Sequence, residues 1–267
     1  MKQENLTRSW ENLLQHLSQN CPAGLAMAFS GGVDSAILAK AALAAGISPL
    51  LAVYFALPMS PKGEKENAQA VSEELDLPLT IENLDPLSLP AVQQNQRDRC
   101  YHCKRLLFGR LKEIAQENGI FALAEGSQAD DLICFRPGMK AGAELHVLHP
   151  LADVGLGKAE IRALAREFGL SVAERPSSPC LATRFAYDTP LSPALLAKAD
   201  AGEEILHELG FSHCRLRIHQ DLCRIQVPEN LLGHLTAYRD NLLPALQKLG
   251  FRYITCDLEG LTHGSFD

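Results

Sequence analysis

The chain has 267 residues, a length that suits one large domain or two moderate ones. Hydrophobic residues make up 46% of the chain and charged residues 21%, as in an ordinary soluble globular protein. No apolar run is long enough to span a bilayer or to act as a signal region, so we expect a cytoplasmic protein without membrane association. The net charge of −7, from 25 basic and 32 acidic residues, argues against a large nucleic-acid-binding surface.

The first predicted elements are a helix, a buried strand and a second helix. Leu6, Trp10 and Leu13 recur at helical spacing, residues 24–29 form a short apolar segment, and residues 36–45 favour a helix. The loop between the strand and the second helix consists of Ser30, Gly31, Gly32, Val33, Asp34 and Ser35. Free backbone N–H groups and the positive end of the helix dipole point into a loop of this kind, so the sequence predicts a phosphate-binding loop.

The string Ser-Gly-Gly-Val-Asp-Ser resembles the pyrophosphate loop of the PP-loop ATPases. Those enzymes cleave ATP between its α and β phosphates and adenylate an oxygen atom of the substrate. The string lacks the lysine of a Walker loop. The resemblance implies ATP binding by residues 30–35 and by the end of the following strand, near Tyr54.

Strand-like and helix-like segments alternate from residue 49 to residue 168. We predict strands at 49–55, 79–82, 121–124 and 146–151 and helices at 62–75, 100–118 and 158–168. This alternation predicts an α/β fold with a parallel sheet and helices on both faces. The resemblance of the loop to that of the PP-loop ATPases implies a Rossmann-like PP-loop domain (adenine nucleotide alpha hydrolase-like). Segment 125–131 follows a strand at its carboxyl end, where such sheets bind ligands, so we expect Gly126 to belong to the ATP site.

Three carboxylates near these strand ends are candidate Mg²⁺ ligands. Asp34 lies inside the predicted phosphate loop, where a carboxylate beside phosphates requires a cation between them. Asp130 and Asp131 end a neighbouring segment and could complete the site, since Mg²⁺ favours one or two carboxylates plus phosphate oxygens. Helix capping is the alternative role for Asp130 and Asp131.

A change of composition predicts a domain boundary. Residues 175–189 are rich in Pro, Ser and Thr, and we divide the chain into a PP-loop domain at 1–188 and a smaller α+β domain at 189–267. In the smaller domain we predict a helix at 193–209, strands at 214–219, 222–227 and 252–258, and a helix at 231–249 that Gly233 and Pro244 kink or break.

The cysteines include candidates for chemistry. In a cytosolic enzyme the eight cysteines are expected to be reduced, and Cys214, Cys223 and Cys256 lie in apolar strands typical of a core. Cys180 follows a proline in a loop and has Arg184 nearby, which favours a thiolate nucleophile. Cys100 and Cys103 form a single Cys-x-x-Cys at a helix start, a pattern open to redox, zinc, cluster or packing roles. Together the thiols of Cys100, Cys103 and Cys180 suit a four-iron four-sulfur cluster with one open iron.

Two arginines of the second domain suggest an anion pocket. Arg215 and Arg217 are two apart on a predicted strand and therefore share one face. With Glu203 they could form a polar pocket for a phosphate. A solvated strand face explains the two arginines equally well.

Four stretches resemble the LarE family of ATP-dependent sulfur transferases, which act in nickel-pincer nucleotide biosynthesis. They are residues 30–35, 98–104, 125–131 with 136–138, and 179–185, and the tail at 250–260 fits as well. The resemblance implies that ATP adenylates a carboxylate of a pyridinium-3,5-dicarboxylate mononucleotide, with release of pyrophosphate. A sulfur nucleophile then displaces AMP and leaves a thiocarboxylate.

The resemblance also implies roles for individual residues. One branch of the family consumes the sulfur of the cysteine at the Cys180 position, and another uses three cysteines to hold a cluster that delivers sulfide; Cys100 and Cys103 make this chain similar to the second branch. Arg184, Glu203, Arg215 and Arg217 match the family's substrate and phosphate pocket. Gln220 departs from the family, where a glycine is expected before Asp221.

Two other functional classes remain open from the sequence. One is a PP-loop enzyme with a different substrate, either a tRNA thiolase or an ammonia-using amidating synthetase, and the other is an ATP-binding module without catalysis. The acidic balance of the chain argues against the tRNA thiolase. We also expect a homo-oligomer.

Overall fold

Helices and strands alternate through most of the computed structural model, which describes residues 3–132 and 137–261. The helices are α1 (Gln3–Asn20), α2 (Val33–Ala44), α3 (Glu64–Glu74), α4 (Pro90–Gln93), α5 (Arg99–Glu117), α6 (Pro137–Glu144), α7 (Pro150–Asp153), α8 (Lys158–Glu167), α9 (Pro193–Glu208), α10 (Leu232–Ala237) and α11 (Arg239–Lys248). The strands are β1 (Leu25–Ala28), β2 (Leu50–Ala56), β3 (Leu79–Asn83), β4 (Leu123–Ala124), β5 (Val147–Leu148), β6 (Arg215–His219), β7 (Leu222–Gln226) and β8 (Tyr253–Cys256). None of the helices in this part of the chain combines the length and apolar content that a bilayer crossing requires.

The first five strands form one parallel sheet in the order β3-β2-β1-β4-β5. All of their carboxyl ends therefore lie at the same edge, and β1 ends there in the middle of the sheet. Strands β1 and β2 are apolar along their whole length because helices cover both faces of a parallel sheet. This arrangement confirms the predicted α/β fold with a parallel sheet.

Alternate residues of the strands enter two hydrophobic cores, one on each face of the sheet. Met27 packs with side chains of α1, α2 and α8, whereas its neighbour Ala26 packs with Phe108 and Leu111 of α5. The core residues on both sides are almost completely inaccessible to solvent. Burial on this scale fixes β1 firmly, and the loop that follows it starts from a rigid base.

Three predicted elements differ clearly from the observed ones, and the first is the predicted strand 121–124, which is observed only at Leu123–Ala124. The predicted strand 146–151 is only two residues long, since Pro150 begins the short helix α7. The predicted break in helix 231–249 occurs at Tyr238, between α10 and α11, and not at either of the residues proposed for it. Pro244 lies inside α11, after the first turn of that helix.

The chain divides into two compact units, and the second is assembled from three segments. The first unit comprises Met1–Leu57, Gly63–Pro86 and Asp98–Ser177, and the second comprises Pro58–Lys62, Leu87–Arg97 and Ser178–Asp267. This division differs from the single boundary predicted after residue 188. Long-range hydrogen bonds account for the two additional segments: the backbone N–H of Leu181 donates to Met59 O at 2.9 Å, and the Asn95 side chain donates to Ala186 O at 2.9 Å.

The second unit contains a three-stranded sheet in the order β6-β7-β8, with the first pair antiparallel and the second parallel. One face carries buried Leu216, Ile218 and Cys223, and α9 packs against β6 where Gly202 leaves room for the Leu216 side chain. Gln220 lies in the turn between β6 and β7 with a positive φ of 58°. A glycine would adopt that conformation without strain.

Candidate active site

The loop between β1 and α2 has the geometry of an anion-binding site. The hydroxyl oxygens of Ser30 and Ser35 lie 3.2 Å apart, the Ser35 hydroxyl donates to Gly32 O at 3.0 Å, and the Gly32 N–H points at Ser30 Oγ at 3.3 Å. Gly32 is the residue that precedes α2, and no side chain of the described residues caps the helix there. The first N–H groups of α2 are consequently available to an anion, as a phosphate loop requires.

Close backbone packing holds this loop in place. Gly31 has a φ of +71°, and a Cβ atom there would lie 2.5 Å from the Cα of Ala68 in α3. Asn67 of the same helix donates from its side chain to Gly31 O at 2.9 Å. On the other side, a Cβ at Gly126 would lie 3.0 Å from Ser35 N. The loop is thus clamped between α3 and the residues that follow β4.

Asp34, in the first turn of α2, is paired with a lysine that the sequence analysis did not single out. Both carboxylate oxygens accept from Lys158 Nζ, at 2.8 and 2.6 Å. Burial raises the pKa of Asp34 above its ordinary value, and the charge of Lys158 offsets only part of that effect. Lys158 begins α8, so a second helix start brings a cation to the phosphate loop.

The other two predicted Mg²⁺ ligands have structural partners. Asp130 Oδ2 accepts from the backbone N–H of Lys158 at 2.9 Å. Asp130 therefore caps the start of α8, although it lies 28 positions earlier in the chain. Asp131 is buried and accepts from both the backbone and the side-chain amide of Gln128. Within residues 3–132 and 137–261, no group of three or more His, Cys, Asp or Glu side chains is arranged to hold a metal ion. The capping alternative therefore describes Asp130 better than the metal-ligand prediction.

Tyr54, predicted near the adenine, has its side chain in the hydrophobic core on one face of the sheet. Its backbone belongs to β2, next to the carboxyl end of that strand. Any contact with adenine at this position would involve the backbone, as the resemblance to the PP-loop ATPases implies.

A buried carboxylate beside Gly126 forms a network that sequence reasoning missed. Glu125 accepts from Lys104 Nζ at 2.7 Å to each oxygen and from Ser127 Oγ at 2.7 Å, and His149 Nδ1 lies 3.4 Å away. Burial opposes ionisation of Glu125, but Lys104, Ser127 and His149 outweigh it and hold its pKa below the ordinary value. Lys104 directly follows Cys103, so this network ties the start of α5 to the edge of the sheet.

The two cysteines of the Cys-x-x-Cys motif lie in the first turns of α5, as predicted. Cys100 is exposed and Cys103 is partly exposed. By contrast, burial raises the pKa of Cys214 to about 12 and that of Cys223 to about 11, as expected of core cysteines.

Cys180 is exposed and opens a single turn of 3₁₀ helix, Leu181–Arg184, in the second unit. Its carbonyl oxygen accepts from the Thr183 N–H at 3.0 Å and from Thr183 Oγ1 at 2.8 Å. Arg184, four residues on, donates to the same carbonyl at 3.4 Å and to Pro179 O at 3.0 Å. The side chain of Cys180 thus extends from a turn whose backbone is fixed on both sides.

Arg184 and Glu203 do not have the geometry predicted for substrate ligands. Arg184 is 1% exposed and Glu203 is 4% exposed, and they form a two-pronged ion pair, Nε to Oε1 at 2.8 Å and Nη2 to Oε2 at 2.7 Å. Glu203 Oε1 also accepts from the Leu216 N–H at 2.8 Å. The side chains of this pair are turned toward each other and away from solvent, which does not support direct contact with a substrate.

Arg215 and Arg217 lie on one face of β6, as predicted, and a third arginine joins them. Arg224 of β7 pairs directly with Arg217 across the strands and forms an ion pair with Asp257 at 3.1 Å. Arg217 donates to Gln226 Oε1 at 2.9 Å. Burial, reinforced by the neighbouring guanidinium groups, lowers the pKa of Arg217 to about 10. Cations held this close together are stabilised by a bound anion, a pattern typical of phosphate sites.

Comparison with known proteins identifies the family. No family model matches the chain. The chain is 36% identical over 239 residues to the pyridinium-3,5-bisthiocarboxylic acid mononucleotide synthase of Lactiplantibacillus plantarum, covering 89% of this chain and 87% of that protein. It is 31% identical over 243 residues to an uncharacterized protein of Synechocystis, covering 90% and 91% of the two chains.

A more distant similarity links the chain to other PP-loop enzymes. It is 27% identical over 186 residues to the tRNA-specific 2-thiouridylase MnmA of Trichlorobacter lovleyi, covering 58% of this chain and 52% of that protein. The likeness over nearly the full length to the Lactiplantibacillus plantarum synthase is the more extensive of the two. The chain therefore belongs to the LarE family of ATP-dependent sulfur transferases, within the PP-loop ATPases.

Proposed function

We propose that this protein converts a carboxylate of a pyridinium-3,5-dicarboxylate mononucleotide into a thiocarboxylate at the expense of ATP. The Lactiplantibacillus plantarum relative is named as a synthase of the corresponding bisthiocarboxylic acid mononucleotide. The observation that carries the proposal is the Cys180 turn. An exposed thiol on a fixed backbone is suited to take part in sulfur transfer to an activated carboxylate, either as a ligand of the sulfur donor or as the nucleophile itself.

The first step is adenylation. A carboxylate oxygen of the substrate attacks the α phosphorus of ATP, the bond to the bridging oxygen breaks, and pyrophosphate leaves. The N–H groups of α2 and the hydroxyls of Ser30 and Ser35 bind the phosphates, and Lys158 neutralises their charge. Mg²⁺ enters with ATP as part of the substrate, and the Asp34 carboxylate is the group of the loop suited to contact it.

The second step is sulfur transfer. A sulfur nucleophile attacks the acyl carbon, AMP leaves with the bonding electron pair, and the new carbon–sulfur bond yields the thiocarboxylate. We propose that the sulfur is delivered through a four-iron four-sulfur cluster held by Cys100, Cys103 and Cys180. The proposal rests on donor chemistry, since all three thiols are at least partly exposed and are soft ligands of the kind that iron–sulfur clusters prefer. Among the described residues no group of three such side chains is already arranged to hold a metal ion. When bound, the cluster would supply an exchangeable sulfide on its open iron.

The substrate's own phosphate requires an anion site. We propose Arg215 and Arg217 for this role, with Arg224 as a further contributor. Three guanidinium groups with one paired carboxylate leave an excess of positive charge on this face of the sheet. The lowered pKa of Arg217, which burial causes, would rise again when a phosphate binds.

The experiment that tests this function measures products. The purified protein, incubated with ATP, Mg²⁺, sulfide and the dicarboxylate mononucleotide, should form AMP and pyrophosphate in equal amounts, and mass spectrometry should detect the thiocarboxylate. Formation of ADP and orthophosphate would contradict the PP-loop assignment. Iron and acid-labile sulfide content after anaerobic purification tests the cluster: about four irons per chain are expected. Loss of about 34 Da at Cys180 without bound iron would show instead that the cysteine gives up its own sulfur.

The alternative function is thiolation of tRNA, and the likeness to the tRNA thiouridylase favours it over the non-catalytic module. It predicts pyrophosphate release that depends on tRNA and not on the mononucleotide. Comparison of the two substrates in the same assay separates the alternatives. The expected homo-oligomer stays a prediction, which light scattering of the purified protein tests.

A further inference from the structure

The side chain of Arg184 connects two parts of the second unit that bear on Cys180. Its Nε and Nη2 atoms are occupied by the Glu203 carboxylate of α9. Its third nitrogen, Nη1, donates to Pro179 O at 3.0 Å, to Cys180 O at 3.4 Å and to Thr183 Oγ1 at 2.8 Å. One planar guanidinium thus bridges a helix and the backbone that carries the exposed thiol.

The helix end of this bridge is itself fixed. Glu203 Oε1 accepts from the Leu216 N–H at the start of β6, and Gly202 allows Leu216 to approach α9 closely. Glu203 is therefore bound to a second element as well as to Arg184. A carboxylate held in this way cannot rotate without breaking several hydrogen bonds at once, so it fixes the orientation of the guanidinium.

A contribution to stability does not by itself explain why an ion pair is buried so deeply. Removing both charges from water costs free energy that the pairing only partly offsets, and hydrophobic residues of similar volume often replace such pairs without loss. What the pair provides that an apolar pair could not is a set of hydrogen bonds in fixed directions to the carbonyl groups of Pro179 and Cys180.

We propose that Arg184 is a positioning residue that acts through the backbone of Cys180, and that it is not a ligand of the substrate. Its role is to hold the turn so that the thiol has one orientation during sulfur transfer. This inference rests on the proposed function in naming that step, but the geometry of the turn can be measured without any substrate. Lysine at this position would keep the charge and lose the fork that reaches Glu203 and the two carbonyls together.

The test compares Arg184→Lys with the matched control Arg110→Lys. Arg110 makes ion pairs with Glu82 and Glu113 in the first unit and has no part in the proposed chemistry. In Arg184→Lys we expect sulfur transfer to lose at least tenfold in kcat, with the KM for the mononucleotide and the rate of pyrophosphate release unchanged. In Arg110→Lys all three should equal the wild-type values. A rise in KM for the mononucleotide with kcat unchanged would overturn the proposal, because it would indicate direct contact with substrate.

A second measurement does not depend on turnover. Hydrogen exchange in the free protein should accelerate at least tenfold at the Thr183 and Leu181 amides of Arg184→Lys, while the amides of β7 keep their wild-type protection. Thr183→Val, which removes the hydroxyl between Arg184 and Cys180 O, should give the same local change if Arg184→Lys is too unstable to study. Unchanged exchange at both amides in a folded variant would also overturn the proposal. If the wild-type protein releases no pyrophosphate with the mononucleotide but these amides respond, the proposed function fails and the positioning role stands.

Discussion

The contact between Gly126 and the phosphate loop permits a quantitative prediction. Replacement of Gly126 by alanine would introduce a Cβ 3.0 Å from Ser35 N and 3.2 Å from Asp34 C. Ordinary van der Waals contact begins at 3.4 Å, so the loop must retreat by the difference between 3.4 and 3.0 Å, which is 0.4 Å. Both close atoms belong to the backbone, which cannot turn aside as a flexible side chain can.

The expected cost of Gly126→Ala follows from this overlap. Overpacking of this kind destabilises a fold by about 1–3 kcal/mol, which for a unit of this size lowers the melting temperature by roughly 2–12 °C. The functional effect should be larger than the loss of stability suggests, since small displacements of positioning groups have steep effects on rate. We expect kcat/KM for ATP-dependent pyrophosphate release to fall by about tenfold or more.

Gly109→Ala is the matched control for this experiment. Gly109 lies inside α5, and a Cβ there meets nothing within 4 Å, so alanine should stabilise the helix by about 0.5–1 kcal/mol and leave turnover unchanged. Calorimetric titration with ATP and a coupled pyrophosphate assay measure both variants. Wild-type ATP affinity and turnover in a folded Gly126→Ala protein would refute the inference that this glycine supports the phosphate loop.

Three further predictions follow from the site. Cys180→Ser should retain pyrophosphate release in the presence of the mononucleotide and lose thiocarboxylate formation, as measured by mass spectrometry; loss of both would assign Cys180 a structural role. Lys158→Met should reduce ATP turnover by about a hundredfold, the scale of one lost electrostatic donor, and Lys158→Arg should retain more of the turnover. Equal turnover in the wild type and both variants would exclude contact of Lys158 with the phosphates. Burial lowers the pKa of His149 below its ordinary value, so the folded protein favours the neutral imidazole. The contribution of His149 to the free energy of unfolding is therefore complete above pH 6.5 and is lost as the pH falls toward the lowered pKa. Urea unfolding at pH 7 and pH 5 should show a smaller drop in the free energy of unfolding for His149→Asn than for the wild type.

The sequence was sufficient to predict the features that depend on neighbouring residues. The phosphate loop follows from an apolar strand, two glycines and a helix start within a dozen positions, and the parallel sheet follows from the alternation of such segments. Cys100 and Cys103 were predicted at a helix start for the same reason, and that helix begins one residue earlier than expected, at Arg99. In these cases the local pattern and the tertiary structure agree.

The residues that were missed are brought together by the tertiary fold. Lys158 is 124 positions from Asp34 and has no motif that marks it. Lys104, Glu125 and His149 come from a helix and two loop positions after strands, and only the strand order β1-β4-β5 brings the last two side by side. The observed division differs from the predicted domain boundary for a similar reason. Short segments near Met59 and Asn95 join the second unit through hydrogen bonds that span roughly a third to nearly half of the chain.

Solvent exposure distinguishes the roles of the two ion pairs that bear on catalysis. The side chains of Asp34 and Lys158 are 28% and 35% exposed, so water and a ligand can reach both partners. Partly exposed pairs contribute little to stability, which means that Lys158 can turn to a phosphate and Asp34 to a cation at small cost. The side chains of Arg184 and Glu203 are 1% and 5% exposed, and separating them would leave a buried charge without a partner. The first pair is therefore suited to exchange partners when ATP binds, and the second is suited to remain unchanged during the proposed sulfur transfer.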